Sequence, residues 1–428
     1  MRTVSLMSGT SYDGVDVAVA DWHRDGETLW LRPVGTRGLA YDDDLRAAIA
    51  AVLPPAASGV EAVCRLDARL GQVFADAAAV GLELAGGRAD LVVSPGQTVF
   101  HWVDGGRARG TLQLGAPAWI ARRTGLPVLS DLRTADIAAG GQGAPLVPAF
   151  DALLLAEDGR VGAAAEDGRV GAALGDGPGG ATAGGPPLAR AALNLGGIAN
   201  LTVVAPPAPV LGYDIGPANA LIDAATLRFH GEPYDIDGRR ATAGRVHEGL
   251  LARLLAEPYY AAPPPKSTGK ELFHAGYLDR HLSAVAGPVP GDDVIATVTE
   301  LTARAVAAAC DRHRVTEVIA AGGGVRNPVL TGRLADLGAG RWRLRLSDEF
   351  GVPAQAKEAY AFGLLGWLSW HGLPGSLPSV TGAAEPAVLG CWTAAGWPAP
   401  APTSRQPAAD PGPRRLRVAP APASACPR

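Results

Sequence analysis

Two glycine-punctuated turns, each set between short and largely apolar runs, open the two halves of this chain. In the first half, the runs at residues 3–7 and 15–19 flank a polar turn. The second half repeats the plan, with runs at 191–195 and 201–204 on either side of two adjacent glycines. Short apolar runs around a small, polar turn predict a β-hairpin. Because the plan occurs twice, we expect a chain built from two similar halves.

The first turn carries side chains suited to a phosphate and a metal ion. Small residues let backbone N–H groups face an anion, because no side chain blocks its approach. The hydroxyls of Ser8, Thr10 and Ser11 add donors, while Asp13 and Asp16 supply carboxylates that a Mg²⁺ ion would need. Two such hairpins predict a polyphosphate clamp, typical of a two-lobed nucleotide-binding enzyme. The turn glycines could instead serve only the tight turns, which is their commoner use.

Composition restricts the class of protein further. The net charge is −4 and the chain has no long basic run, which argues against a nucleic-acid groove. No run of about 18 apolar residues could span a bilayer, and the first residues lack the apolar core of an export signal. The four cysteines are far apart and form no CxxC pair, as expected in a reduced compartment. We therefore expect a soluble, cytoplasmic enzyme without nucleic-acid or membrane partners.

A length of 428 residues predicts two domains, each with its own core. We expect an N-terminal α/β lobe over residues 1–155 and a C-terminal α/β lobe over 188–397. Residues 156–187 are rich in Gly, Ala, Asp and Pro and contain a short tandem duplication, so they are predicted to form a flexible insertion. Residues 398–428 are Pro- and Ala-rich and are predicted to be a disordered tail.

The order of the predicted elements favours an α/β fold. In each half, helical stretches follow the hairpin, and a strand then ends in a polar or glycine loop, near residues 90–98 and 317–324. Asn327 followed by Pro328 is a typical helix start, with a capping side chain and a proline in the first turn. The predicted fold class is therefore a two-lobed, duplicated α/β fold with a ligand cleft between the lobes.

A set of ordered motifs covers nearly all of the chain outside the insertion and the tail. They lie at residues 7–16, 96–98, 111–115, 131–136, 140–148, 194–200, 214–219, 265–271, 321–328 and 381–383. In these motifs the chain resembles the anhydro-N-acetylmuramic acid kinases, which have an actin-like, sugar-kinase-like fold. One glycine loop alone would be weak support, whereas this ordered set is specific.

The resemblance implies an unusual reaction. ATP would phosphorylate O6 of 1,6-anhydro-N-acetylmuramic acid while water opens the anhydro bridge, giving N-acetylmuramic acid 6-phosphate and ADP in peptidoglycan recycling. The reaction needs a phosphate clamp, a metal ion and a carboxylate that activates water. The resemblance thus implies ATP and Mg²⁺ as cofactors, ATP and an amino sugar as small-molecule partners, and a homodimer.

It also implies roles for individual residues. Asp214 matches the general base of the family, and Asp13 and Asp16 would hold the metal. Sugar contacts are implied for Gln97, Thr98, Asp131, Asp136 and Glu358. ATP contacts are implied for Gly9, Thr10, Ser11, Tyr12, Asp13, Gly14, Val15, Asp16, Gly196, Gly197, Gly322, Gly323, Gly324 and Asn327.

Several of these assignments have a structural alternative. From the residues alone, Asp214 is as compatible with capping the following helix as with acting as a base. Asp131 and Asp136 could start a helix, and Glu358 could be an exposed ion-pair partner on a helix. Lys266 and Lys270, which flank a Ser-Thr-Gly loop, could be solvated charges or phosphate contacts.

Three residues depart from the pattern of the family near the expected sugar contacts. Pro95 stands where a histidine is usual, Ile215 replaces a threonine, and Ala218 replaces a glycine. Two alternative functions therefore remain open at this point. One is an ordinary hexosamine kinase of the same fold, which would not open a ring. The other is a non-catalytic, nucleotide-dependent binding protein.

Overall fold

The computed structural model describes residues 1–9, 11–54, 56–156, 189–269, 272–396 and 410–419. Thr10, Lys270, nearly all of the predicted insertion and most of the predicted tail lie outside these ranges. By its internal contacts the chain divides into two units, Met1–Pro178 with Ala356–Arg428, and Gly179–Gln355. The predicted C-terminal lobe was therefore too long, because residues from 356 onward belong with the N-terminal part of the chain.

Both units combine strands with helices. The N-terminal part of the first unit contains β1 (Arg2–Met7), β2 (Gly14–Asp25), β3 (Thr28–Ala40), α1 (Asp43–Ala50), α2 (Val60–Leu84), β4 (Leu91–Val93), β5 (Gln97–Asp104), β6 (Arg107–Leu114), α3 (Pro117–Thr124), β7 (Val128–Ser130), α4 (Thr134–Ala138) and α5 (Pro148–Leu155). The second unit contains β8 (Ala189–Leu195), β9 (Ile198–Val204), β10 (Leu211–Pro217), α6 (Asn219–His230), α7 (Arg239–Ala243), α8 (Glu248–Leu255), α9 (Ala275–Ser283), α10 (Gly291–Arg312), β11 (Val315–Ala321), α11 (Pro328–Gly338) and β12 (Arg343–Leu346). The chain then returns to the first unit with α12 (Lys357–Trp370), α13 (Pro378–Thr381), β13 (Cys391–Thr393) and β14 (Arg415–Val418).

The two main sheets share one topology. Their strand orders are β13-β7-β4-β1-β2-β3-β14 and β10-β9-β8-β11-β12. In each, three consecutive strands form an antiparallel meander, and two later strands add in parallel beside its first strand. The five-strand pattern β3-β2-β1-β4-β7 therefore matches β10-β9-β8-β11-β12. This confirms the prediction of a duplicated α/β fold opened by two hairpins.

The first hairpin is held in place by α2. Apolar residues recur along this helix at helical spacing, with Leu66, Leu70 and Phe74 all buried. At Gly81 the helix comes so close to the sheet that an added Cβ would lie 2.3 Å from Val4 Cγ1. The packing of helix on sheet thus fixes β1, and with it the start of the glycine turn.

The C-terminal return completes the first sheet at its outer edge. β14 pairs in parallel with the start of β3, Leu416 is fully buried, and Arg24 forms a 2.6 Å ion pair with Asp410. The prediction of a disordered tail is therefore wrong for residues 410–419. An edge strand offers unpaired backbone groups to any apolar segment that can reach it. Arg415–Val418 is one such segment, because arginines alternate with Leu and Val along it. The sequence around it is rich in Pro and Ala, which makes this short strand difficult to recognise.

Within the described ranges, no helix combines the length and the apolar character needed to cross a membrane.

Candidate active site

The turn between β1 and β2 is tight and carries two exposed carboxylates. The Tyr12 N–H donates to the Gly9 carbonyl at 3.2 Å, and Tyr12 has a positive φ of 43°. The Ser11 hydroxyl donates to Asp13 Oδ1 at 2.7 Å, and the Asp13 and Asp16 side chains both face solvent. This geometry suits a turn that presents backbone N–H groups and carboxylates to a charged ligand.

Two members of the predicted ATP-binding set have structural roles in the first unit. Val15 is 2 % exposed and belongs to the core of the first unit, so only its backbone is available to a nucleotide. At Gly14, an added Cβ would lie 2.4 Å from the Leu39 carbonyl oxygen of β3. Gly14 is therefore required by the close approach of a neighbouring strand, as in the turn-only interpretation of the glycines.

A cluster of buried polar side chains is hydrogen-bonded to the backbone of the β1–β2 turn. Ser8 Oγ lies 2.6 Å from Gln97 Oε1 and 2.8 Å from the Tyr41 hydroxyl, and Gln97 Nε2 donates to the Gly9 carbonyl at 3.2 Å. Burial raises the pKa of Tyr41, so its hydroxyl stays protonated. Because Ser8 has one proton to give to Gln97, Tyr41 donates to Ser8. We name Ser8, Tyr41 and Gln97 the turn-support cluster.

The cluster changes the interpretation of Gln97. The predicted sugar contact is not supported, because the side chain is 1 % exposed and its amide is bonded within the protein. Thr98 is partly exposed and accepts from Gln113 Nε2 at 3.3 Å, so its sugar contact stays a prediction. Sequence reasoning missed Tyr41, which is 33 residues from Ser8 and lies in no glycine motif.

Replacement of Gln97 by Met should therefore raise the KM for ATP by roughly tenfold. The near-isosteric apolar side chain removes the bonds to Ser8 and Gly9, and each buried hydrogen bond contributes about 0.5–1.5 kcal/mol. Steady-state kinetics with each substrate varied would measure the effect. The matched control is Thr98→Val, one residue along the same strand, which should leave the KM for ATP unchanged. A Gln97→Met variant with a raised KM for the sugar alone would contradict this assignment.

Glu358, in the first turn of α12, lies close enough to Arg133 for the two side chains to interact electrostatically. Burial raises the pKa of Glu358, and the neighbouring Arg133 guanidinium opposes that shift. Arg133 Nη1 donates to the Gly143 carbonyl at 2.8 Å, while its buried Nε has no hydrogen-bond partner among the described residues. Glu358 is thus not the exposed helix-surface partner that one alternative proposed. The Glu358 carboxyl group lies near a guanidinium, an arrangement that suits contact with a polar ligand.

The position of Glu358 is fixed by its neighbour in the sequence. Lys357 forms a 2.6 Å ion pair with Asp151 of α5, and both side chains are only 3 % exposed. A buried pair of this kind holds the first turn of α12 against α5, because separation would leave an uncompensated charge in the core.

The structure gives Asp136 and Asp131 structural roles. Asp136 is fully buried, with one carboxylate oxygen accepting from the Gly143 N–H and the other from the Thr381 hydroxyl, both at 2.7 Å. The predicted sugar contact of Asp136 is therefore not supported. Asp131 Oδ1 accepts from the Thr134 N–H at 3.2 Å at the start of α4, as the helix-start alternative proposed. Asp131 is partly exposed, so a sugar contact there stays a prediction.

In the second unit, the β8–β9 turn and the later glycine loop lie together. The carbonyls of Gly196 and Gly197 accept from the first N–H groups around α6, at 2.9 to 3.1 Å. At Gly322, with φ of 90°, an added Cβ would lie 2.8 Å from the Leu195 carbonyl oxygen. Gly324 approaches Leu195 as closely, while Gly323 begins the 3₁₀ turn Gly323–Arg326.

Asn327 ends the glycine loop as a helix cap. Its side chain accepts from the N–H groups of Val329 and Leu330, at 3.1 and 3.2 Å, which confirms the predicted cap. The structure therefore brings together the predicted ATP contacts of this unit, Gly196, Gly197, Gly322, Gly323, Gly324 and Asn327.

Asp214 lies at a bulge in β10 and is bound to a distant loop. The pairing of β10 with β9 shifts between Asp214 and Gly216, and Asp214 Oδ2 accepts from the Thr268 N–H at 3.0 Å. The helix that follows is capped at Ala218 without a side-chain hydrogen bond. The capping alternative for Asp214 is thus not supported. The residue is partly exposed, and its carboxylate, held by a backbone donor, is arranged as a reactive group would be.

The three departures from the pattern of the family are buried. Ile215 is 3 % exposed, Ala218 is fully buried, and Pro95 is also buried between β4 and β5. Each of these side chains packs in the interior of its own unit. The three departures therefore alter the packing around the site residues.

Comparison with known proteins gives the family. The family model described as anhydro-N-acetylmuramic acid kinase matches residues 1–171 and 166–395. A relative of that name from Streptomyces coelicolor is 52% identical over 427 residues, covering 98% of this chain and 99% of the relative. Relatives of the same name from Streptomyces avermitilis and Rhodococcus erythropolis are 54% and 48% identical, each covering 92% of this chain and 94% of the relative.

Among solved structures, the (R)-2-hydroxyglutaryl-CoA dehydratase component A of Acidaminococcus fermentans aligns with a TM-score of 0.36 at 14% identity. The alignment covers 85% of this chain and 96% of that one. That likeness is too distant to carry an argument. The relatives are close and match nearly end to end, and the family model covers almost every described residue. The chain therefore belongs to the anhydro-N-acetylmuramic acid kinase family.

Proposed function

We propose that the protein uses ATP to phosphorylate O6 of 1,6-anhydro-N-acetylmuramic acid while water opens the 1,6-anhydro bridge. The products are N-acetylmuramic acid 6-phosphate and ADP, and the reaction serves peptidoglycan recycling. The observation that carries this proposal is the 52% identity to a kinase of that name over 98% of the chain. We place the reaction in the cytoplasm, where ATP is available, and retain the homodimer as a prediction.

Bond making and bond breaking balance in this reaction. The oxygen of water bonds to the anomeric carbon C1 as the C1–O6 bond breaks. O6 then bonds to the γ-phosphorus, and the bond from that phosphorus to the β-phosphate oxygen breaks to release ADP. The proton of the water passes to a carboxylate. Since O6 leaves C1 with its electron pair, it needs no separate base before it attacks phosphorus.

Asp214 is the proposed acceptor of that proton. Support comes from the partial exposure of the residue and from the Thr268 N–H that holds one carboxylate oxygen at 3.0 Å. A general base must be held within hydrogen-bond reach of the proton that it abstracts. A carboxylate fixed at a strand bulge by a backbone donor meets the requirement for orientation.

Glu358 and Arg133 are the proposed sugar contacts of the first unit. The Arg133 guanidinium opposes the rise in the pKa of Glu358, and the Arg133 Nε, which has no hydrogen-bond partner among the described residues, can donate to a ligand oxygen. A guanidinium suits the carboxylate of the lactyl group of the sugar, because its planar donors match carboxylate geometry. Glu358 can accept from a hydroxyl or from the attacking water.

The turn at residues 9–16 is the proposed phosphate and metal site. Within the described part of the chain, no three Cys, His, Asp or Glu side chains form a metal-binding group. Magnesium nevertheless fits, since it is usually held by one or two carboxylates, with phosphate oxygens and water as its other ligands. Asp13 and Asp16 supply those carboxylates. Bound there, Mg²⁺ would neutralise charge on the transferred phosphate. The adenosine end is assigned to the glycine loop at 322–324.

A labelled-water experiment tests the whole proposal. The protein is incubated with ATP and the anhydro sugar in H₂¹⁸O, and the product is analysed by mass spectrometry and NMR. At early times, before the anomeric oxygen of the product exchanges with solvent, one ¹⁸O should appear at C1, and the phosphate should be on O6. N-acetylmuramic acid and N-acetylglucosamine serve as open-ring controls. If an open-ring sugar is phosphorylated faster than the anhydro sugar, the hexosamine-kinase alternative is correct. If no sugar stimulates ADP release, the non-catalytic alternative is correct.

A further inference from the structure

Besides the bond that its carboxylate accepts from the Thr268 N–H, Asp214 has two backbone hydrogen bonds, one to Lys266 in the same loop and one to Tyr259 in the preceding turn. The Asp214 N–H donates to the Lys266 carbonyl at 3.3 Å, and the Tyr259 hydroxyl donates to the Asp214 carbonyl at 2.8 Å. At a bulge, regular strand pairing does not fix the backbone on its own. The orientation of the Asp214 carboxylate therefore depends on the segments that carry Tyr259 and Lys266.

Those two segments are joined by the Lys266 side chain. Lys266 Nζ donates to the Tyr259 carbonyl at 2.9 Å and lies 4.4 Å from the centre of the Tyr259 ring. It also lies 5.6 Å from the centre of the Tyr213 ring. Asp214, Tyr259 and Lys266 thus form a closed ring of contacts, which we call the Asp214 ring.

Lys266 lies in surroundings unlike those of a solvated surface lysine, because its ammonium group is partly buried and contacts other groups of the protein. Burial lowers the pKa of Lys266 to about 8, and the nearby Arg312 charge lowers it further, whereas Asp214 raises it. A solvated surface lysine would keep its ordinary pKa. An ammonium group over two aromatic faces and bonded to a carbonyl is attracted by both kinds of contact.

We propose that Lys266 and the Tyr259 hydroxyl are positioning residues, which hold Asp214 in the orientation that it needs as the base. This inference rests on the proposed function, since it assumes that Asp214 accepts the proton of the water. It replaces both sequence-based interpretations of Lys266, as a solvated charge and as a phosphate contact. Both residues act through Asp214 and not on the reacting atoms.

Two conservative variants test the proposal. Lys266→Met keeps the length of the side chain but loses its charge, and Tyr259→Phe keeps the ring but loses the hydroxyl. Each should lower kcat by about tenfold, as expected for loss of one partly buried polar contact that matters in the transition state. The KM for ATP and the affinity for ADP should stay within twofold of the parent protein. Tyr259→Phe also leaves the packing intact if Lys266→Met folds poorly.

The readout that separates positioning from simple stability is a double-mutant cycle with Asp214→Asn. Once the base is gone, its orientation no longer matters, so either variant should cost less than twofold in the Asp214→Asn background. Arg253→Met, on α8, is the matched charge control. Arg253 is exposed and donates to the Ala284 carbonyl at 3.2 Å, and kcat should stay within twofold.

Each outcome bears on a different claim. A raised KM for ATP or a weakened affinity for ADP in Lys266→Met, with kcat unchanged, would overturn the proposal in favour of a phosphate contact. A full tenfold loss in the Asp214→Asn background would also overturn it. If Asp214→Asn itself turns over normally, the proposed base has failed. If Asp214→Asn is inactive but both ring variants are fully active, only the positioning inference has failed.

Discussion

Asp214→Asn is expected to lower kcat for the anhydro sugar by about 10²–10⁴-fold, the usual contribution of a positioned general base. Asparagine keeps the shape of the side chain, and its amide oxygen can still accept from the Thr268 N–H that now bonds Asp214 Oδ2. What it loses is the basic oxygen. Affinity for ADP should be unchanged, because the phosphate and adenosine contacts are assigned to other residues. Turnover and ADP titration, on the same preparation, measure both.

A thermal melt of the same variant provides the stability control. Because the contacts of the Asp214 backbone do not change, the Tm should stay within a few degrees. Asp336→Asn, which neutralises an exposed aspartate on α11, is the matched charge control and should behave like the parent protein. Near-parental turnover of Asp214→Asn would remove Asp214 from the mechanism. A large drop in Tm would mean that its role is structural.

Asp16→Asn is expected to raise the Mg²⁺ concentration for half-maximal activity by at least tenfold and to lower kcat/KM for ATP by about 10²-fold. An amide cannot supply the charge that holds Mg²⁺ or its water ligands. Magnesium titration of the sugar-dependent ADP release measures the effect. Asp16 lies in β2, just after the turn, and its side chain is exposed.

Asp13→Asn is the informative comparison for Asp16. The Asp13 carboxylate accepts from the Ser11 hydroxyl at 2.7 Å, which gives it a role in shaping the turn. If Asp16 is the main ligand, Asp13→Asn should shift the magnesium requirement much less. Equal shifts in the two variants would mean that both carboxylates contact the metal. Unchanged magnesium dependence in both would place the metal site elsewhere.

The features that could be predicted from the sequence are those set by neighbours along the chain. The two hairpins follow from apolar runs on either side of small turns, and the helix start at Asn327 follows from its own side chain and Pro328. The clustering of predicted ATP contacts in the second unit arises because the parallel neighbours β8 and β11 end side by side, which brings the turns that follow them together. For these features, local chemistry and tertiary packing agree.

The features that escaped prediction depend on contacts between distant residues. The sequence predicts a sugar contact for Gln97, whereas in the fold its side chain bonds to Ser8, 89 residues away, in the turn-support cluster. Asp136 has its partner at Thr381, 245 residues further on. Tyr259 holds Asp214 across 45 residues through a hydroxyl that no motif marks. No local pattern records which of several polar residues will meet in the fold.

Because the chain returns to the first unit after residue 355, the two units are completed in a particular order during translation. Gly366 of α12 lies so close to β4 that an added Cβ would be 2.3 Å from Val93 Cγ2, and β14 occupies the edge beside β3. As the nascent chain leaves the ribosome, the first sheet therefore lacks its last helix and strand until residue 418 has been translated. Every strand of the second sheet has been made by residue 346. The unit that begins first is thus the one completed last, and a premature stop codon after residue 355 would damage the beginning of the protein most.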